Sequence, residues 1–343
     1  MTILGVETSC DETAAAIVED GVKEICSVVA SSKEFHEKTG GIVPEIAARK
    51  QVESITPIIS ECFEKYKKTK GLKNINECYK EIDAIAVTVG PGLIGSLVVG
   101  IEAAKALSLS LNKPLIPVNH LVGHIYGNFV DNPQEVLFPA VVLLVSGGHT
   151  DLVLMKNHGD FEYLGGTLDD AAGEAYDKVA RLLGLSKYLG GALLSKKASE
   201  CKDNIIKGKL PRPMLDQDNF DFSFAGLKTA SRRLIELQKY SIESIAKEFE
   251  EAAVEVLVKK TIKAAKKFNV KTIMLGGGVS ANSYLRDEMK KEADKLSVVT
   301  QVPSFRLCTD NAVYIASAAY FNNKPMEFKD IEVNPSLGIM SKF

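Results

Sequence analysis

A strand, a polar turn and a second strand open this chain, and the same grammar returns far downstream. The apolar run Thr2–Val6 passes through Glu7–Thr13 into Ala14–Glu19, and Val141–Val145 passes through Ser146–Thr150 into Asp151–Met155. Each unit reads as a β-hairpin whose turn is rich in hydroxyls and small residues. Repetition after about 140 residues points to an internal duplication. A chain of 343 residues is also long for one ordinary core, so two lobes are the natural expectation.

Between the hairpins, Ile82–Val89 reads as a strand that ends in Gly90-Pro91-Gly92, followed by the small-residue helix Ile94–Leu109 and a strand at Leu115–Val118. After the second hairpin come a helical stretch at Asp169–Leu183 and a loop-rich segment to about Ser223. A long helix near Ile242–Phe268, with apolar residues at helical spacing, then leads into a strand at Lys271–Leu275. Gly276–Gly278 and a helix from near Ser280 follow, then a strand near Val298–Val302 and a helix from about Asn311 to Tyr320. Strands alternating with helices, plus hairpins, predict an α/β chain with mixed sheets. The pattern fits two ribonuclease-H-like lobes around a nucleotide cleft; one large doubly wound sheet is the competing reading. The expected division is an N-terminal lobe at 1–113, joined by 323–343, and a C-terminal lobe at 114–322 that carries the metal candidates and a loop-rich insertion at about 157–240.

Composition narrows the partners. A hydrophobic share of 45%, a charged share of 25% and a net charge of −2 describe a globular chain that does not grip nucleic acid by overall charge alone. The basic runs Lys65–Lys73 and Lys259–Lys267 read as solvated helix faces. Leu93–Leu111 is long and apolar, yet it contains Glu102 and Lys105, so a buried helix is expected rather than a membrane span. Six cysteines, at 10, 26, 62, 78, 201 and 308, show no paired spacing, and Met1 leads directly into a strand. A reduced, cytoplasmic chain with no membrane association is the expectation.

The sharpest local feature is Asn119-His120-Leu121-Val122-Gly123-His124. Imidazoles at i and i+4 share one face of a helix, within reach of one ion, although two satisfied core histidines would look the same. Zinc peptidases with an HExxH motif need a glutamate base after the first histidine, and here that position is Leu121. A third, oxygen ligand is available in Asp310, which reads equally well as a helix N-cap. Thr8, Ser9 and Thr13 in the first turn, with Ser146, Gly147, Gly148 and Thr150 in the second, are candidate phosphate contacts. Gly276, Gly277 and Gly278 form a strand-to-helix turn where backbone could meet a nucleotide, and Asn282 lies one turn on. Asp177 belongs to an acidic helix start that is either solvated or aimed at a ribose or an ion.

Taken together, these residues resemble the TsaD/Gcp family, tRNA threonylcarbamoyladenosine transferases once described as O-sialoglycoprotein endopeptidases. The matching runs include GVETSCDETAAAIVEDG (5–21), GGIVPEIAARKQ (40–51), NHLVGHIYG (119–127), LLVSGGHTDLV (143–153), TLDDAAGEAYDKVARLLGL (167–185), GGGVSANSYLR (276–286) and CTDNA (308–312), in family order over nearly the whole chain. One departure is Tyr188-Leu189-Gly190-Gly191-Ala192, where the family usually has prolines on either side of the glycines. The resemblance implies a two-lobed fold of the sugar-kinase, Hsp70 and actin kind. It implies one divalent metal, iron ahead of zinc, on His120, His124 and Asp310, and an adenylate pocket lined by Leu144, Val145, Ser146, Gly147, Gly148, Asp177, Gly191 and Asn282. The implied reaction moves threonylcarbamoyl from threonylcarbamoyl-AMP to N6 of adenosine 37 in tRNAs reading codons that begin with A, releasing AMP. His149 is a candidate general base. Implied partners are tRNA and, in bacteria, an inactive paralogue and a small ATPase of the TsaB and TsaE types, the latter using ATP and magnesium; a homo- or heterodimer is compatible. Rival readings are a kinase or chaperone-like ATPase on the same fold, a metallopeptidase, or an idle binding subunit.

Overall fold

The computed structural model describes residues 1–132 and 135–341. Its strands are β1 (Thr2–Glu7), β2 (Glu12–Glu19), β3 (Lys23–Ser31), β4 (Ala84–Gly90), β5 (Leu115–Asn119), β6 (Ala140–Val145), β7 (Thr150–Asn157), β8 (Asp160–Gly166), β9 (Thr272–Gly276) and β10 (Val299–Gln301). The helices are α1 (Lys33–Thr39), α2 (Pro44–Lys70), α3 (Ile75–Glu81), α4 (Ile94–Leu111), α5 (His120–Tyr126), α6 (Ala172–Leu182), α7 (Gly191–Glu200), α8 (Ala225–Glu236), α9 (Ile242–Lys267), α10 (Ser283–Asp294) and α11 (Val313–Phe321).

Two compact units result. The first is Met1–Glu135 together with the stretch from Pro303 onward, and the second is Val136–Val302. Each holds one five-stranded sheet, in the order β3-β2-β1-β4-β5 and β10-β9-β6-β7-β8. In both, a hairpin pairs antiparallel, β1 with β2 and β6 with β7. In both, the hairpin's first strand also pairs parallel with a later one, β4 or β9. The duplication expected from the two hairpins therefore extends to whole sheets.

Central strands of both sheets are mostly apolar because helices cover both faces. β4 and β6 are buried along their full length, whereas the edge strand β3 alternates between buried and exposed positions. In the first unit, α11 packs on β1, β2 and β4 and against α5, and α4 packs on β4 and α2. The sequence of α11, VYIASAAYF, is apolar all round, and its residues from Val313 to Ala319 are buried. Fully burying a side chain such as Val313 or Ile315 contributes roughly 1.5–3 kcal/mol, so α11 belongs firmly to this core.

The boundaries differ from the expected ones for that reason. β5 at 115–119 completes the first sheet, and α11 covers it, so 114–135 and 303–322 fall in the first unit rather than the second. The metal candidates fall there too. The expected joining segment 323–343 also belongs to the first unit, with its last two residues outside those described. The stretch 157–240, expected to be loop-rich, contains β8, α6, α7 and α8 with irregular segments between them. α4 is long and apolar enough to cross a membrane by length and composition, and here it packs within the first unit.

Candidate metal centre and adenylate pocket

α5 starts where β5 ends. Asn119 caps it, with its Oδ1 accepting from the Leu121 N–H at 2.9 Å, which fixes where the first helical residue, His120, points. One helical turn later comes His124, and the two rings meet edge to face with centroids 4.6 Å apart. Asp310 arrives from the segment that enters α11. Its alternative reading as a helix cap does not hold, because Asn311 takes that role: its Oδ1 accepts from the N–H groups of Val313 at 3.0 Å and Tyr314 at 3.2 Å. Asp310 Oδ1 instead lies 3.6 Å from His120 Nε2 and 3.4 Å from His124 Nε2, and the Tyr314 hydroxyl donates to it at 3.4 Å.

Gly123 makes this meeting sterically workable. A β-carbon there would lie 2.7 Å from Tyr314 Cδ2 and 2.8 Å from Ile315 Cδ1, so only a bare backbone lets α11 come this close to α5.

The electrostatics favour a cation. Burial lowers the basicity of both imidazoles. For His120 the charges of Glu7 and Asp310 outweigh it and lift the pKa to about 9; for His124 burial wins and the pKa falls. Burial pushes Asp310 upward, yet His120 and His124 hold it well below the usual carboxylate range. Burial, together with the charges of Asp310 and Asp11, drives Glu12 up to about 10. Ligand atoms of His120, His124 and Asp310 lie within 4.8 Å of one another. Two imidazoles and one carboxylate, with coordination positions left over, suit a first-row divalent ion, so these residues fit the metal the resemblance implies.

Two acids of the β1–β2 hairpin were not singled out from the sequence. Glu7 is wholly buried and its Oε2 lies 3.1 Å from His120 Nδ1; Glu12 is the second. A legible signal existed for Glu7, since a charged residue ends an otherwise apolar strand. Thr8, Ser9 and Thr13 behave differently from expectation. All three are buried, and Thr8 is packed so tightly under α4 that a β-carbon at Gly100 would lie 2.2 Å from its hydroxyl. They do not form an accessible turn.

In the second unit the β6–β7 turn is open where the first hairpin is closed. Leu144 and Val145 are buried, whereas a β-carbon at Gly147, Gly148 or Gly278 would meet nothing within 4 Å. The Ser146 hydroxyl accepts from the His149 N–H at 3.1 Å, and the Ser146 carbonyl accepts from the Gly173 N–H of α6 at 3.2 Å. Thr150 Oγ1 accepts from Ala172 N–H at 2.8 Å, which ties this turn to the start of α6. Gly276 ends β9, and Gly277, with φ of 84°, packs against the turn: a β-carbon would lie 2.4 Å from the Val145 carbonyl oxygen. Asp177 on α6 accepts from the Gly191 N–H at 2.8 Å. Asn282 is committed on both sides. Its Oδ1 caps α10 through Leu285 N–H at 2.9 Å, and its Nδ2 donates to Ser195 Oγ at 2.9 Å and to Glu250 Oε1 at 2.8 Å. The structure thus brings Ser146–Gly148, Gly276–Gly278, Asp177 and Gly191 onto neighbouring elements, with Asn282 as a brace rather than a free amide.

The model of the family described as TsaD, tRNA N6-adenosine threonylcarbamoyltransferase, matches residues 23–317. Enzymes of that name from Bacillus subtilis (strain 168) and Syntrophomonas wolfei are 49% and 47% identical to the chain. The first similarity covers 93% of this chain and 89% of the relative, the second 98% and 97%. This chain belongs to the threonylcarbamoyltransferase family. A third member, from Thermosipho africanus, is 49% identical over 93% of the chain and 94% of its own length.

Solved structures share the fold of this threonylcarbamoyltransferase-family chain. HypF from T. kodakarensis superposes with a TM-score of 0.61 at 14% identity, covering 94% of this chain and 47% of HypF. Component A of the (R)-2-hydroxyglutaryl-CoA dehydratase of Acidaminococcus fermentans gives 0.53 at 15% identity, over 94% and 98%. At such identities the likeness is one of fold, which hosts many chemistries. Family membership makes the chain a transferase and gives the kinase or ATPase reading no support.

Proposed function

We propose that this chain transfers the threonylcarbamoyl group of threonylcarbamoyl-AMP to N6 of adenosine 37 in tRNAs that read codons beginning with A. The observation that carries this reading is the convergence of His120, His124 and Asp310 in a chain of this family, with Leu121 where an HExxH peptidase carries its glutamate base. A bound divalent metal would supply Lewis-acid polarisation of the carbonyl under attack, apt because an exocyclic adenine amine is a weak nucleophile. The histidines and Asp310 would hold that ion, iron ahead of zinc. The turn at Gly147 and Gly148, where a β-carbon would meet nothing within 4 Å, suits the adenylate phosphate, with Ser146 and Gly276–Gly278 alongside it. Asp177 and Gly191 suit its sugar, and Leu144, Val145 and Asn282 keep these loops in place. His149 next to the turn is the candidate proton acceptor. Partners of the TsaB and TsaE types, the latter using ATP and magnesium, would supply surface for the tRNA that a chain of net charge −2 lacks overall.

The test is modification of an unmodified tRNA by the purified chain, with and without those partners, alongside metal analysis. His120→Ala is expected to lose both bound metal and modification. Full modification by a metal-free protein would overturn the proposed chemistry, and ATP turnover that is independent of tRNA would favour an ATPase instead.

A further inference from the structure

Glu7 ends β1 and has no solvent exposure at all. Three groups converge on its carboxylate. The Ser9 N–H donates to Oε1 at 2.5 Å, the Thr88 hydroxyl donates to Oε2 at 2.5 Å, and His120 Nδ1 lies 3.1 Å from Oε2. Sheet register brings the first two together: β1 and β4 run parallel, with Val6 beside Val87, so the next residue of each strand, Glu7 and Thr88, lie side by side. An ionised carboxylate only accepts hydrogen bonds. The hydrogen of a neutral His120 ring must therefore sit on Nδ1, and its lone pair on Nε2, the atom that faces Asp310. His124 has no such support, because its Nδ1 is buried with no hydrogen-bond partner among the described residues.

We infer that Glu7 is a positioning residue: it holds His120 in the tautomer and orientation that present Nε2 as a ligand, and Thr88 and the Ser9 amide hold Glu7 in turn. The inference rests on the metal reading proposed above. Burying a carboxylate costs several kcal/mol unless its lone pairs are satisfied, and here the Ser9 amide, the Thr88 hydroxyl and His120 Nδ1 satisfy those of Glu7. A carboxylate behind a metal-bound histidine also raises that ring's strength as a ligand, and losing such a partner lowers metal affinity by about 10- to 100-fold.

Chelator-stripped protein titrated with Co²⁺, followed by calorimetry and by the visible absorption that reports ligand geometry, tests this without any tRNA. Glu7→Gln is expected to weaken Co²⁺ binding by about 10- to 100-fold, since the amide can donate to Nδ1 and permit the wrong tautomer. Thr88→Val, which removes only the hydroxyl that fixes Glu7, is expected to weaken it less, and Thr88→Ser to restore it. Thermal melts of the stripped proteins run in parallel, and if Glu7→Gln does not fold, the Thr88 pair carries the test. Unchanged affinity and spectrum in Glu7→Gln or Thr88→Val, while His120→Ala loses binding, would overturn the role of Glu7 and leave the metal site standing. Failure of the unsubstituted chain to bind Co²⁺ would overturn both.

Discussion

Gly123, between the two histidines, decides how near Asp310 can come. Gly123→Ala places a methyl group where Tyr314 and Ile315 already lie, and overpacking of this kind costs about 1–3 kcal/mol. The expected result is a lower denaturation midpoint together with reduced metal content, because α11 must move away and carry Asp310 with it. A stable variant with full metal content would contradict the tight α5–α11 crossing. The same site predicts a pH dependence. His120 is raised from 6.5 to about 9 by Glu7 and Asp310, so in the metal-free protein its stabilising charge is fully present below pH 6.5 and lost as the pH rises through 9. Metal needs the unprotonated ring, so Zn²⁺ affinity measured by competition is expected to climb between pH 6.5 and 9, with protons released on binding. A flat profile across that window would remove Glu7 and Asp310 as the cause.

At the scale of elements, Asn282 ties the start of α10 to α7 and α9. Asn282→Ala removes the cap and leaves buried Glu250 without one of its donors, and the expected loss by urea denaturation is about 1–3 kcal/mol. Asn282→Asp keeps the cap but sets a second carboxylate beside Glu250, whose pKa burial already raises. That variant is expected to be least stable near neutral pH and to recover on acidification, when one carboxylate takes up a proton. Equal stability of the two variants at pH 5 and pH 8 would sink this reading. Elements also show where sequence reading stops. The hairpins, β4, β5 and α9 were legible because their apolar patterns are regular. β3 was not, since an edge strand with one open face mixes polar and apolar residues, and neither was α2, whose Pro57 and high charge interrupt the helical signal over 27 residues.

For the whole molecule, the contiguity of the second unit is the useful fact. Val136–Val302 contains its complete sheet and the helices that cover it, so this segment expressed alone is expected to unfold cooperatively by circular dichroism. Residues 1–135 alone lack α11, which covers β1, β2 and β4, and are expected to remain unfolded or aggregate. The opposite pattern would mean that the units are wrongly divided. What the amino-acid order determined by itself was local: two hairpins of one design, a histidine pair at helical spacing, glycine turns after strands, and a family resemblance strong enough to name a reaction. Only the tertiary structure decided that Asp310 is no helix cap, that Glu7 stands behind one of the histidines, that Thr8, Ser9 and Thr13 are buried, and that residues 303–322 also return to the first unit. Periodicity and spacing report on neighbours along the chain, whereas these outcomes depend on how closely α11 can approach β1 and α5, a packing result in which a single absent β-carbon at Gly123 matters as much as any charge.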